Sequence, residues 1–311
     1  MKALTAYPLS FKPKPPFDFA PALSFLHLTR ADGTLKRAEA GTLTQALQFG
    51  EGPVLVQLRS QGTVQTPRLE GTLYAQRDLG EDELQAAKRR IRFYLGLDDD
   101  LSAFYALAEQ DAAFAPVLER LYGYHQVRFP SLFSCVCWAL VTQRTPNSFA
   151  FKTVALLSDL LGDSFTFEGR TYTTFPEPQR FLTGDAASKI LAATNNTRKT
   201  ERLIPLARDF LSADETFLRT APYDEVFSLL KRLPGLGPWS AEFIMLRGLG
   251  RWERAPWTDT RLLEAISAVY TGGLGISRGD ARALAERYGW QQGLWVHYLK
   301  EELSYRLRRS S

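Results

Sequence analysis

Asp259 stands in the string Ala255-Pro-Trp-Thr-Asp-Thr-Arg-Leu-Leu263, at the head of a segment whose Leu262, Leu263, Ile266 and Val269 fall on one helical face. A carboxylate so placed can cap the helix and take support from its dipole. It can also stabilise positive charge developing on a reacting carbon, or deprotonate an attacking water. Upstream runs Lys231-Arg-Leu-Pro-Gly-Leu-Gly-Pro-Trp-Ser-Ala-Glu-Phe-Ile-Met-Leu246. Gly235 and Gly237 flank Leu236 just before an amphipathic helix. Glycines there admit positive φ and the close approach of another backbone. The helix start leaves amide donors free and partly positive, so a phosphate can dock on it while Leu236 anchors the loop in the core. Taken alone, the same string reads as an ordinary turn between packed helices.

Other chemistries find little support. The two cysteines, Cys135 and Cys137, sit one residue apart in an apolar run and read as reduced core residues. Two thiols cannot hold a four-thiolate iron–sulfur cluster within one chain. His27, His125 and His297 lie far apart without metal spacing. The chain has 311 residues, 45% hydrophobic and 23% charged, with a net charge of +4 and a pI near 9.0. That balance suits a globular protein and moves a nucleic-acid reading little. No apolar run reaches the length of a membrane span, and the proline-broken N-terminus lacks the apolar block of a signal peptide. A cytoplasmic monomer is the expectation, nucleoid-associated if the source is bacterial.

The elements that must position these groups follow from hydrophobic period. Residues 1–80 read as a β-rich domain, with strands at Ala22–Leu28, Pro53–Leu58 and Leu69–Tyr74 and a helix near Thr42–Phe49. From Glu81 the period switches, and residues 81–311 read as a helical domain. Within it Pro130–Val141 is apolar throughout, as for a buried central helix. It ends abruptly at Thr142-Gln-Arg-Thr-Pro-Asn147. A small hairpin is expected around Glu168-Gly169, and the basic tail from Tyr305 reads as frayed surface.

The string Leu233–Ala241 resembles the hairpin of the helix-hairpin-helix DNA glycosylase superfamily, nearest its alkylated-base branch. Met245-Leu-Arg-Gly248, Phe175-Pro-Glu-Pro-Gln-Arg180 and Arg198–Ala207 continue the likeness, which covers about 200 residues from Phe129 onward. The resemblance implies an α+β fold: a small N-terminal sheet domain followed by a mainly α-helical glycosylase core, with the helix-hairpin-helix at about 228–246. It implies a partner, double-stranded DNA containing damaged bases, and a catalytic Asp259. Gly235, Leu236 and Gly237 would grip DNA backbone, and the loop from Thr142 to Pro146 would enter the gap left by a flipped base, with Gln143 hydrogen-bonding in the duplex and either Arg144 or Pro146 as the wedge. Trp239 and Phe243 would wall the base pocket. Phe129, Phe133, Trp138, Trp295 and Tyr298 fit the core better than the pocket. Strand-cutting relatives carry a nucleophilic lysine at the position of Trp239, so the implied reaction is monofunctional hydrolysis of the N-glycosidic bond of an alkylated purine, 3-methyladenine in type, leaving an abasic site. Oxidised or deaminated purines are the alternative lesions, and a silent damage-binding module is the alternative class. Thr260 and Leu299 depart from the branch, which expects an aromatic after the aspartate and a tryptophan in the final helix. The resemblance requires no cofactor, and allows a monovalent or divalent ion on main-chain carbonyls near Leu233 and Leu236.

Overall fold

A computed structural model describes residues 4–28, 36–39, 41–50 and 52–310. The chain opens with β1 (Thr5–Phe11), α1 (Phe19–Leu28), β2 (Lys36–Glu39), β3 (Thr42–Phe49), β4 (Gly52–Ser60) and β5 (Leu69–Ala75). The five strands form one antiparallel sheet in the order β1-β5-β4-β3-β2. Helices follow: α2 (Glu81–Tyr94), α3 (Ser102–Ala108), α4 (Ala115–Arg120), α5 (Leu132–Val141) and α6 (Asn147–Leu161). The hairpin of β6 (Ser164–Phe167) and β7 (Arg170–Thr173) interrupts them, turning on Glu168 and Gly169 at φ 49° and 73°, the two left-handed residues a tight hairpin needs. Then come α7 (Ala186–Thr194), α8 (Thr197–Phe210), α9 (Glu215–Thr220), α10 (Tyr223–Arg232), α11 (Pro238–Phe243), α12 (Leu262–Tyr270), α13 (Arg278–Glu286) and α14 (Gln292–Ser310). The expected α+β class holds. No helix among the described residues is long and apolar enough to cross a membrane.

Three local expectations fail, each for a physical reason. Thr42–Phe49 is a strand, not a helix, because both of its faces are covered. Leu43 and Leu47 pack into the main core, while Ala46 meets Leu55, Phe165 and Tyr172 under the β6–β7 hairpin. Burial on both sides erases the alternation that marks a strand. Ala22–Leu28 is helical rather than extended. Ala22, Leu23 and Leu26 form its buried stripe, and the Asp18 carboxylate accepts from the Ala20 amide at its head. The tail from Tyr305 continues α14 to Ser310, with Arg306 bonded to Glu302 and to the Ala268 carbonyl.

Strands end at Ala75 and helices begin at Glu81, yet the apolar cores divide the chain elsewhere. One core joins the sheet and α1–α4 to α12–α14. The other is built from α5–α11. The return of the C-terminal helices to the N-terminal core places α14 opposite α11. Glu302 of α14 helps hold that return: it is 2% exposed and bonded to both Arg120 of α4 and Arg306. Burial pushes its carboxyl up, but the two arginines outweigh this and hold it below the usual range. Glu302→Gln is expected to destabilise the protein by about 1 kcal/mol at neutral pH, because two guanidinium groups, both partly exposed and so screened by solvent, lose their counter-ion. A depressed folded-state pKa gives stability that is present above the unfolded value and lost as pH falls through the folded one. The gap between wild type and variant in urea unfolding should therefore be constant above about pH 5 and narrow as pH drops below about 4.

Candidate active site

The hairpin is built as its sequence dictates. Gly235 lies at φ +84°, and a Cβ there would meet Cδ of Arg202 at 2.6 Å and Cδ1 of Leu140 at 3.1 Å. Leu236 is buried, and its amide closes the turn by donating to the Leu233 carbonyl at 3.1 Å. Gly237 has an extended backbone and no atom within 4 Å of where a Cβ would stand. Its value is open space in front of the start of α11, not unusual φ. Pro238 lacks the amide a helix start cannot use anyway. The helix then widens into a π turn over Ile244–Gly248, closed by the Leu249 amide on the Ile244 carbonyl.

Gln143 meets this hairpin from below. Its amide nitrogen donates to the Gly235 carbonyl at 2.8 Å and to Oγ of Ser240 at 3.0 Å, so in this structure it ties the end of α5 to the turn. Lys199 of α8 stitches the same break, donating to the Val141 carbonyl and to Oγ1 of Thr145 at 2.5 Å each. Arg144 is exposed with φ 52°, and Pro146 is exposed beside it.

The segment carrying Asp259 is clamped onto α11, where Glu242 accepts from the backbone amide (2.9 Å) and hydroxyl of Thr258. Arg278 of α13 holds the next carbonyl back, at Trp257, at 2.6 Å. Asp259 itself divides its carboxylate. One oxygen accepts from the Arg261 amide at 2.9 Å, closing a turn just ahead of α12; the side-chain cap expected of Asp259 is absent, because Arg261 is itself the residue that heads the helix. The other accepts from Nζ of Lys300 at 2.5 Å, and the Asp259 side chain is only 14% exposed.

Trp239 and Phe243 lie one turn apart on α11 with rings stacked at 5.4 Å and 20°. Together with Leu246, Arg247, Pro256 and Asp259 they line a cavity of about 60 Å³, closed on its far side by His297, Lys300 and Glu301 of α14. That is well below the roughly 300 Å³ of ordinary ligand pockets, so a ligand of ordinary size would have to part its walls. A roomier groove of about 570 Å³ runs between α2, the start of α5 and α9. Its acids, Glu177 and Glu215, are bound to Arg90 and Arg219, and Asp259 is not part of it. Of the aromatics assigned to the core, Phe133, Trp138, Trp295 and Tyr298 are buried there. Phe129 also packs edge-on against Phe243 at 5.9 Å. Thr260 is exposed and Leu299 is buried in the main core, so neither supplies a pocket wall.

Sequence reasoning missed His297, Lys300 and Glu301. Their spacing sets them on one face of a helix, but nothing local shows that this face meets α11 and Asp259. Burial, with Arg247, Lys300 and Arg128 adding to it, holds His297 well below the ordinary imidazole range, so it is neutral. Burial raises the Glu301 carboxyl, against the opposing pull of Arg247, Arg308 and Lys300. Both cysteines are free and buried in α5, and burial drives their thiols up.

No family model matches the chain. It is 24% identical over 256 residues to a DNA-3-methyladenine glycosylase of Bacillus subtilis, covering 81% of this chain and 83% of that protein. Its fold superposes on a 3-methyladenine DNA-glycosylase from Archaeoglobus fulgidus with a TM-score of 0.78 at 21% identity, over 94% and 97% of the two chains. In sequence and in fold the chain is similar to DNA glycosylases of the helix-hairpin-helix superfamily. The fold is shared more widely: an 8-oxoguanine glycosylase/lyase of Clostridium acetobutylicum matches at a TM-score of 0.67 and 16% identity, over 95% and 97% of the chains.

The two hairpin glycines of this glycosylase fold should behave differently. Gly235→Ala is expected to cost about 2 kcal/mol of stability, from a left-handed backbone and the clash with Arg202. Gly237→Ala should remain within about 0.5 kcal/mol of wild type, as at ordinary surface sites. Urea denaturation of the two variants measures both.

Proposed function

We propose that this protein is a monofunctional DNA glycosylase that hydrolyses the N-glycosidic bond of alkylated purines, 3-methyladenine in type, and leaves an abasic site. The observation that carries this reading is the constellation itself: one ionisable carboxylate beside paired aromatic rings, next to a glycine hairpin whose outer face is open. Breaking the bond from C1′ to the base builds positive charge on the sugar. Asp259, held by the Arg261 amide, stands where it can stabilise that charge and receive a proton from the attacking water. Trp239 and Phe243 present π faces to an electron-poor base. The open approach at Gly237 suits a phosphate on the α11 amides, and Arg144 stands exposed at the break to fill the stack after base flipping. The nature of the curated relatives supports alkylated purines as the lesion class. A purely binding module would have no use for a carboxylate kept this close to aromatic walls.

Trp239 offers no amine for a Schiff base. Lys300 does line the pocket, but as the ammonium counter-ion of Asp259 it has no lone pair to attack with. The main-chain oxygens of the hairpin suit a hard cation. The Leu233 carbonyl accepts one hydrogen bond, and no donor among the described residues reaches that of Leu236. An ion bound there would add positive charge facing the DNA backbone.

Three outcomes are expected. Asp259→Asn should bind lesion DNA within about threefold of wild type yet release 3-methyladenine from alkylated DNA at least about 10²–10³-fold more slowly, read by chromatography of free base. A folded variant with full release removes the carboxylate from the mechanism. Gly237→Ala should weaken duplex binding, measured by fluorescence anisotropy, equally for damaged and undamaged sequences, because a backbone contact carries no sequence information. Borohydride should trap no covalent protein–DNA adduct, whereas a trapped adduct lost in Lys300→Gln would show a lyase instead.

A further inference from the structure

Two adjacent glutamates on α14 have opposite surroundings. Glu302 is bonded to two arginines. Glu301 makes no hydrogen bond or ion pair among the described residues, although it lines the same small cavity as Asp259, Trp239 and Phe243. The groups around it are also short of partners. His297 Nε2, Tyr124 Oη and Arg247 Nε are all buried without a hydrogen bond, and Tyr124 lies against His297 with ring centroids at 5.4 Å. Buried polar atoms are seldom left unpaired; His297 and Arg247 line the cavity with Glu301, Tyr124 packs behind His297, and such a set marks a place where a polar ligand completes the pairing.

We propose that Glu301 is a second carboxyl of the reaction, donating a proton to a ring nitrogen of the departing base and so extending release to neutral purine lesions. This rests on the glycosylase reading above. A cationic alkylated base needs no such help, because the electron pair of the broken bond neutralises it. A neutral base leaving from C1′ carries that pair away as an anion, unless a proton arrives at a ring nitrogen such as N3 or N7. The steps balance: the bond from C1′ to N9 breaks, the proton of Glu301 goes to the base, and water adds its oxygen to C1′. Asp259 takes the water's proton, and Glu301, left as a carboxylate, recovers one from solvent. His297 beside it is neutral and can hydrogen-bond the same base edge.

The charged and titratable groups that face Glu301 are Arg247 from the π turn, Lys300 and Arg308 from α14, Asp259 ahead of α12, and Tyr124 and His297. Burial opposes ionisation more strongly than the three cations favour it. The two carboxyls of the cavity thus differ in surroundings, Asp259 bonded to a lysine and a backbone amide and Glu301 partly buried without a partner among the described residues, the kind of difference that separates base from acid in paired-carboxylate sites.

The test uses duplexes carrying a single hypoxanthine, a neutral lesion, or a single 7-methylguanine, a cationic one, with the full-length protein. Wild type should release both. Glu301→Gln should slow hypoxanthine release at least about thirtyfold more than it slows 7-methylguanine release, in line with the usual size of general acid catalysis. Wild-type hypoxanthine release should fall as pH rises through the Glu301 pKa, and 7-methylguanine release should lack that limb. Carbon NMR of the protein with ¹³C-labelled glutamate carboxyls should show Glu301 protonated well above the usual carboxylate range. Equal loss on both lesions, no loss on hypoxanthine, or a Glu301 ionised at pH 5 overturns the proposal. A wild type that releases 7-methylguanine but no hypoxanthine overturns it too, and leaves the glycosylase reading standing. A wild type that releases neither sinks that reading and the second carboxyl with it.

Discussion

A single carboxylate must stay charged beside two aromatic rings, and the site is built around meeting that demand. An ionised acid loses hydration when its side chain is covered, and the loss is tolerable only if other dipoles or charges replace the water. Asp259 has one of each: the Arg261 amide at a helix head on one oxygen, and the Lys300 ammonium on the other. The first comes from three residues of local sequence. The second comes from 41 residues away and requires α14 to lie against the Asp259 segment. The lysine has a cost as well as a benefit, since it competes with any cation forming on a bound sugar for the same oxygen. In the proposed reaction, opening of the pocket on DNA would loosen that contact as the charge develops.

The return of the C-terminus to the N-terminal core is what brings α14 there. The sheet, α1–α4 and α12–α14 share one core, whereas the hairpin and its two helices belong to the other. The segment carrying Asp259 is thus the seam between two packed bodies, fastened by Glu242 on Thr258 and by Arg278 on Trp257. A seam can part more readily than a core can deform. That suits a cavity that is too small for a base when closed.

Much of this was legible in the residues. The hairpin, the central helix α5 and the β6–β7 turn follow from short-range chemistry, glycine φ and apolar runs, whereas Asp259 stood out through the family resemblance and not through its local role as a cap, which the structure does not bear out. What sequence could not show were facts of tertiary placement. Thr42–Phe49 looked helical because the strand it forms is covered on both faces by elements more than a hundred residues apart. Gln143 carried a sensible duplex-facing reading, but its amide is bonded to Gly235 and Ser240 in this structure. His297, Lys300 and Glu301 were invisible as site residues, because a charged helix face announces only solvent until its neighbours are known. The asymmetry between Glu301 and Glu302, adjacent in the chain, is the clearest instance. One is neutralised by arginines from α4 and α14, and the other is left facing the cavity.

The account turns on Asp259 answering positive charge at the sugar, and the most direct measurement is a comparison of two abasic-site analogues in the same duplex. One carries a cationic pyrrolidine in place of the sugar and the other a neutral tetrahydrofuran. Wild type should bind the cationic analogue at least about 10²-fold more tightly, the margin by which transition-state mimics exceed ground-state ligands, and Asp259→Asn should lose that preference while still binding the neutral one. Equal affinity of wild type for both analogues would contradict the assignment of Asp259 and, with it, the mechanism drawn from this site.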